Sequence, residues 1–196
     1  MNQHPELRKH MRRRRRLLSH AERLECADQA AHHFATTRLF RCSRHIACYW
    51  PVDGELDPLP LMQRAWARNK ICYLPVLNQL PSQRLWFAPY REGDALVYNR
   101  YGILEPCLPV SEMAGARSLD VIMAPLVAFD EQGNRLGMGG GFYDRTFAFL
   151  NYRQHWRSPR LIGLAYDFQK VAPIKREPWD VPLQGVLTEA GLYSSR

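Results

Sequence analysis

With 196 residues, 46% of them hydrophobic, the chain can bury a core without a disulfide or metal staple, and its length calls for one domain with at most a helical appendage. Its five cysteines are odd in number and form no C-x-x-C pair, which argues against a disulfide framework and for reduced, partly buried thiols in a cytoplasmic protein. The net charge of +8, from 27 basic and 19 acidic residues, permits nucleic acid, a membrane surface or a small polyanion as partner, but no run approaches the ~20 apolar residues of a membrane span and no apolar segment of a secretory signal follows the charged start.

In chain order, Glu6 to Leu18 reads as a basic helix. Much of the excess charge lies in Arg12-Arg13-Arg14-Arg15-Arg16, whose plain reading is a solvated helix face. Ser19-His20-Ala21-Glu22 fits a capping box that opens a second helix, with Leu24, Ala27, Ala31 and Phe34 at helical spacing. Ile46 to Trp50 is a short apolar strand closed by Pro51 and Asp53-Gly54. Pro58 to Arg68 is a helix with Leu59, Met62 and Trp66 on one face, followed by a strand from Ile71 to Leu74 that Pro75 ends. Leu85 to Ala88 and Val121 to Ala124 are further strands, and the continuous apolar character of the latter implies burial on both faces. A glycine-rich loop, a helix from about Phe142 to Tyr152, a strand from Leu161 to Ala165 and a short Val186-Leu187 strand complete the pattern.

Strands alternating with helices predict a single-domain α/β fold: a doubly wound, mostly parallel sheet with helices on both faces, on which residues 1–36 pack as an N-terminal helical segment. Ligands of such sheets lie beyond the carboxyl ends of the strands, which selects Pro51 to Asp57, Asn78 to Arg84 and Asp130 to Tyr143.

The segment Asn134-Arg135-Leu136-Gly137-Met138-Gly139-Gly140-Gly141-Phe142-Tyr143-Asp144-Arg145 has four glycines within five residues, costly in backbone entropy unless the backbone must approach a ligand or take positive φ. A helix opening just after it suits phosphate, Arg135 and Arg145 can bond phosphate oxygens, and Asp144 is a hard oxygen ligand placed for Mg²⁺. No G-K-[ST] follows, so this is not a Walker A loop, and Phe142 stands where a dinucleotide fingerprint needs its third glycine. A surface turn with a helix cap is the competing reading. The seven histidines show no metal-ligand spacing, so no zinc site is expected.

The run N-R-L-G-x-G-x-G-[YF]-Y-D closely resembles the signature of the 5-formyltetrahydrofolate cyclo-ligase family, and the resemblance extends over nearly the whole chain: Leu7-Arg8, Trp50 to Glu55, Pro125 to Asp130 and Trp179-Asp180-Val181-Pro182. It implies that Arg135, Leu136, Gly137, Met138, Gly139, Gly140, Gly141, Phe142 and Tyr143 hold the ATP phosphates, joined by His4 and Arg8 from the N-terminal helix. Asp144 and Asp180 match the family's magnesium-associated acids, and Trp50 and Glu55 its folate-contacting positions. Arg135, Tyr143 and Asp144 form the implied catalytic group. The residues alone read Glu55 as part of a solvated acidic turn. Tyr101 either stacks on the pterin or aminobenzoate or is an ordinary packed aromatic. The signature often carries cations where this chain has Met138 and Gly140, and lysine where it has His4, so Arg135, Arg145 and Arg8 are expected to meet the phosphate charge here.

The implied reaction consumes 5-formyltetrahydrofolate and MgATP and yields 5,10-methenyltetrahydrofolate, ADP and phosphate. Phosphorylation of the formyl oxygen turns it into a leaving group, and N10 then closes the ring. The expected partners are ATP and the folate, polyglutamylated forms included; no nucleic acid or membrane is required, and a cytoplasmic monomer is expected.

Overall fold

The computed structural model describes residues 4–77, 84–152 and 158–194, so most of the expected ligand loop from Asn78 to Arg84 lies outside the described residues. Helix α1 (His4–Leu17) carries the arginine run, and α2 (His20–Thr36) starts at the predicted capping box. The Ser19 hydroxyl accepts from the Glu22 N–H at 3.2 Å while the Glu22 carboxylate accepts from the Ser19 N–H at 2.7 Å, satisfying two N-terminal donors at once. The buried face of α2 consists of Ala27, Ala30, Ala31 and Phe34, whereas Leu24 is exposed. The short α3 (Arg38–Cys42) leads into β1 (His45–Ala47), α4 (Leu59–Trp66), β2 (Ile71–Leu77) and β3 (Leu85–Tyr90). A hairpin of β4 (Leu96–Tyr98) and β5 (Leu104–Pro106) precedes β6 (Val121–Pro125), and a second hairpin of β7 (Ala128–Phe129) and β8 (Arg135–Leu136) precedes α5 (Phe142–Phe147). The chain finishes with β9 (Arg160–Leu164), β10 (Gly185–Thr188) and β11 (Gly191–Ser194).

Seven strands form the central sheet in the order β11-β10-β9-β6-β1-β2-β3. The inner junctions are parallel, and β3 and β11 close the two edges antiparallel. On one face α2 and α4 cover Ile46, Cys48, Leu74, Met123 and Leu164; on the other Phe147 of α5 packs with Ala47, Phe87, Ile122 and Leu161. Successive residues of β6 thus enter opposite cores, as its unbroken apolar run requires, and a fully buried side chain such as Phe147 contributes about 1.5–3 kcal/mol relative to exposure.

The sequence reading did not foresee α3, the β4–β5 and β7–β8 hairpins or β11, and several boundaries differ from it. Strand β1 stops at Ala47, although the Cys48 N–H still donates to the Tyr73 carbonyl of β2 at 2.9 Å. Strand β2 runs through Pro75 to Leu77, because nothing there asks for a proline N–H: β1 has ended on one side, and on the other the paired Phe87 spends both its N–H and its C=O on Ala114. Helix α5 ends at Phe147 and continues as a tighter 3₁₀ segment, Ala148–Tyr152. In α4 the buried residues are Leu61, Met62 and Ala65, with Leu59 and Trp66 only half covered.

The chain progresses outward from β1 to β2 on one side and from β6 to β9 on the other, so the topological switch point lies between β1 and β6. The crevice outside their carboxyl ends is bounded by the segment after Ala47 and the segment after Pro125. Among the described residues no helix is long and apolar enough to cross a membrane.

Candidate active site at the switch point

The segment after β1 folds back on itself. The Tyr49 hydroxyl donates to the Leu56 carbonyl at 2.6 Å, and the Glu55 N–H donates to the Val52 carbonyl at 3.0 Å across a turn in which Asp53 and Gly54 both have positive φ, 52° and 71°. This turn presses Glu55 inward, to 7% exposure. Its carboxylate accepts from the Val52 N–H at 3.1 Å and stands 3.7 Å from the Arg15 guanidinium. Burial pushes its pKa up to about 7, against the opposing pull of Arg15 and of the Val52 N–H. The solvated acidic turn expected from the residues alone is therefore corrected: Glu55 is a buried carboxyl, poised near neutrality.

The arginine run is a solvated face only in part: Arg13, Arg14 and Arg16 are exposed, whereas Arg12 is half-buried and Arg15 buried. Arg12 and Arg16, one helical turn apart, both donate to Asp53 at 2.5 Å, and although burial works the other way they hold its carboxyl below its ordinary value. Arg15 is wholly buried and reaches Asp53 and the Leu126 carbonyl, each at 3.4 Å. Arg14 lies over the Phe168 ring at 4.3 Å, and Arg13 is exposed.

After β6, Asp130 organises the β7–β8 turn by accepting from the backbone N–H groups of Gln132, Asn134 and Ile174. Arg135 then points towards α5. Its guanidinium donates to the Val181 carbonyl and, at 2.5 Å, to Asp144 Oδ1, and its side chain is only 7% exposed. The Val181 N–H also donates to Asp144 Oδ1, at 3.2 Å. Both bonds to Asp144 fall on one oxygen; among the described residues none falls on Oδ2. Leu136 is core, its side chain packed with Met11, Val127 and Ala128.

Gly137 offers its carbonyl to Arg8, whose Nε donates at 2.8 Å. Gly139 and Gly141 have φ of +99° and +64°, conformations that side-chain-bearing residues rarely adopt, and Met138, just before them, is half exposed. Gly141 caps α5, and a Cβ there would fall 2.6 Å from the Arg145 guanidinium, which donates to the Gly140 carbonyl at 2.5 Å. Phe142 meets Tyr101 edge to face at 5.8 Å, so the tip of the β4–β5 hairpin touches the glycine loop. The Tyr143 hydroxyl is buried without a hydrogen-bond partner among the described residues; burial, and then the charge of Glu55, raise its pKa, while Arg135 pulls it down. Asp180 lies one residue before the Val181 brace, and its Oδ2 accepts from the Glu177 N–H at 2.8 Å.

The expected residues thus converge through a chain of contacts: Arg8 on Gly137, Arg135 on Asp144, Asp144 on Val181, Tyr101 on Phe142, and Tyr143 within the field of Glu55. Trp50 instead sets its edge against Tyr90 at 6.2 Å, on the side of the sheet covered by α4. Of His4 only the backbone, at the start of α1, is described. A cavity of about 330 Å³ lined by Trp66, Cys72, Tyr90 and Cys107 shares no residue with these loops, whereas one of about 390 Å³ lined by Gln132, Asn151 and Arg176 adjoins Val181.

The model of the 5-formyltetrahydrofolate cyclo-ligase family matches residues 1–189. The chain belongs to that family. The 5-formyltetrahydrofolate cyclo-ligase of Escherichia coli K12 is 41% identical over 183 residues, 93% of this chain and 98% of the relative. That of Haemophilus influenzae is 44% identical over 149 residues, 75% and 76% of the two chains. The solved 5,10-methenyltetrahydrofolate synthetase of Aquifex aeolicus superposes with a TM-score of 0.80 at 29% identity, covering 99% of this chain and 93% of its own. Membership makes the chain an ATP-dependent ligase of folate one-carbon metabolism.

Within this cyclo-ligase framework the sequence reading missed Asp53, Arg12, Arg15 and Arg16 as a group. A signal was present: Arg8, Met11, Arg12 and Arg15 recur at helical spacing, which places them on one inward face, but five consecutive arginines hide the period. The brace at Val181 had no sequence signal, since it is made by backbone atoms.

Proposed function

We propose that this chain performs the ATP-dependent cyclisation of 5-formyltetrahydrofolate to 5,10-methenyltetrahydrofolate at the β1–β6 crevice, with the glycine loop as the phosphate cradle and Glu55 facing the folate. The observation that carries this assignment is Asp144, held beside the glycine loop by two bonds to the same oxygen, from Arg135 and from the Val181 N–H. Such bracing aims the second oxygen without spending it.

Asp144 Oδ2 and the nearby Asp180 fit Mg²⁺, which is commonly held by one or two carboxylates together with substrate phosphates. When bound, Mg²⁺ supplies charge neutralisation on the β- and γ-phosphates. The chain's own part is positioning. Backbone at Gly137 to Gly141, opened by positive φ at two glycines, lets phosphate approach without side-chain hindrance. Arg8 fixes the cradle through Gly137 and brings positive charge to it. Arg135, its donors engaged by Asp144 and Val181, sets the loop's shape rather than meeting phosphate as its main task. Arg145, exposed on α5, is the better placed of the two for phosphate oxygens. Glu55 offers acceptors to N–H donors of the pterin, and Tyr101 and Phe142 offer aromatic surface to the folate at the loop's rim. With both ligands held, the γ-phosphoryl passes to the formyl oxygen, N10 attacks the activated carbon, and phosphate leaves.

Three of the arginines that made nucleic acid a rival partner are bound to Asp53. The basic remainder suits ATP and folate carboxylates, polyglutamylated tails included, and we place the enzyme in the cytoplasm as a monomer. Mixing the protein with 5-formyltetrahydrofolate and MgATP should produce methenyltetrahydrofolate absorbance. Turnover that persists without nucleotide or in excess chelator would refute the phosphoryl-activation mechanism.

A further inference from the structure

We infer that Arg15 is a positioning residue for this reaction: from inside the fold it fixes the Glu55 carboxylate and the Asp53-Gly54 turn against the backbone at Leu126, coupling the folate-facing loop to the segment that leads into the glycine loop. The inference rests on the reading that Glu55 faces the folate.

Among the described residues Arg15 is the largest wholly buried side chain, and its guanidinium faces three oxygens from two loops. Nη1 stands 3.4 Å from the Leu126 carbonyl and 3.7 Å from Glu55 Oε1, and Nη2 stands 3.4 Å from Asp53 Oδ2. These loops follow β1 and β6, the two strands that define the switch point. A planar fork spans such a divided set of acceptors; a lysine ammonium, a point charge, does not. Burying a guanidinium is costly, and where only packing is needed an apolar residue of like volume generally serves as well or better. A cation here therefore has a use that packing does not supply.

The backbone leaves no slack for Arg15 to drift. A Cβ on Gly54 would lie 3.2 Å from the Arg15 carbonyl, so α1 and the turn are in direct backbone contact. Seven residues earlier on the same helical face, Arg8 holds Gly137 of the glycine loop. Helix α1 thus grips both walls of the crevice, Arg8 at the phosphate side and Arg15 at the folate side. The groups facing Glu55 are Arg15 and Arg12 from α1, Asp53 and the Val52 N–H from its own loop, Tyr49 from the exit of β1, and Tyr143 from α5. Of these, Arg15 is the largest influence favouring the ionised carboxylate, so its loss should change how Glu55 titrates as well as where it sits.

The test compares full-length wild type, Arg15→Met, Arg15→Lys and Glu55→Gln. Initial rates between pH 5.5 and 9 give KM for folate and for ATP separately, and circular dichroism reports folding. Arg15→Met should raise the folate KM by about tenfold, the scale of one strongly coupled pair, leave the ATP KM within about twofold, and move the pH midpoint of the folate KM upward by about one unit. Arg15→Lys should restore most of the pH midpoint, because the charge returns, and only part of the KM, because the fork does not. If Arg15→Met fails to fold, Arg15→Lys decides the matter: a wild-type folate KM in that variant overturns the inference. If Glu55→Gln raises the folate KM but Arg15→Met matches wild type in KM and pH midpoint, the Arg15 role is wrong while Glu55 stands. If Glu55→Gln leaves the folate KM unchanged, the Glu55 assignment fails and the Arg15 role fails with it, whereas turnover of the wild type would still support the reaction itself.

Discussion

Replacing Glu55 by glutamine should stabilise the protein while it impairs folate use. Folding carries the Glu55 carboxyl from its ordinary value of 4.5 to about 7, chiefly through burial. Below about pH 4.5 the carboxyl is protonated in both the folded and the unfolded chain, and glutamine, its neutral isostere, gains nothing. Between pH 4.5 and about 7 the unfolded chain releases the proton while the folded chain keeps it, so wild-type stability falls as pH rises. Above about pH 7 the folded carboxyl ionises too, and the full difference is reached, about 3 kcal/mol as an upper figure at 1.36 kcal/mol per unit. Glu55→Gln removes that cost at neutral pH. Its advantage should be small at pH 5, grow to pH 7 and level off by pH 8, where it should raise the Tm at roughly 2–4 °C per kcal/mol for a chain of this size. Urea denaturation at pH 5 and pH 8 measures the gap directly. A variant less stable than wild type at pH 8, or one with an equal gap at both pH values, would show that Glu55 is not held near neutrality by burial. In the same preparation the folate KM should rise while the ATP KM changes little.

Arg135→Ala should weaken ATP binding by ~1.5–3 kcal/mol through loss of the Asp144 brace, and more in the presence of Mg²⁺ than in excess chelator; equal losses in both nucleotide titrations would return Arg135 to a direct phosphate role. Met138→Ala, at a half-exposed thioether, should change the same titration by no more than ~0.5 kcal/mol. Gly139→Val should strain the loop by about 1–3 kcal/mol, because φ is +99°, yet keep the fold, because nothing lies within 4 Å of the added Cβ; normal nucleotide affinity with an intact circular dichroism spectrum would mean the loop does not cradle phosphate. Leu136→Ala should lower global stability by about 2–5 kcal/mol in denaturant melts, since the side chain belongs to the core; a loss confined to nucleotide affinity would contradict its placement.

Much of the fold was legible because its signals are periodic and local. The capping box of α2, the both-faces burial of β6 and the left-handed glycines of the loop each depend on residues a few positions apart. The alternation of strands and helices then pointed to two of the loops that border the crevice. Strand limits were less legible: Pro75 reads as a stop, and only the exhausted hydrogen-bonding of Phe87 makes it admissible. The charge pattern of the site was hardest to see. Glu55 between two aspartates reads as solvent-facing until the turn and α1 bury it, and a run of identical arginines carries no period to show which of them point inward.

By itself, then, the sequence showed the main alternating strands and helices, the glycine-rich loop for which a phosphate role is proposed, and the family to which the chain belongs. Tertiary structure decided the partner of every decisive charge: Arg8 with Gly137, 129 residues away, Arg12 and Arg16 with Asp53, Arg135 with Asp144 and Val181. The reason is physical. Secondary structure follows from the steric preferences and periodicity of neighbouring residues, whereas the ionisation and role of a side chain depend on desolvation and on charges a few ångströms away, which packing brings from remote parts of the chain.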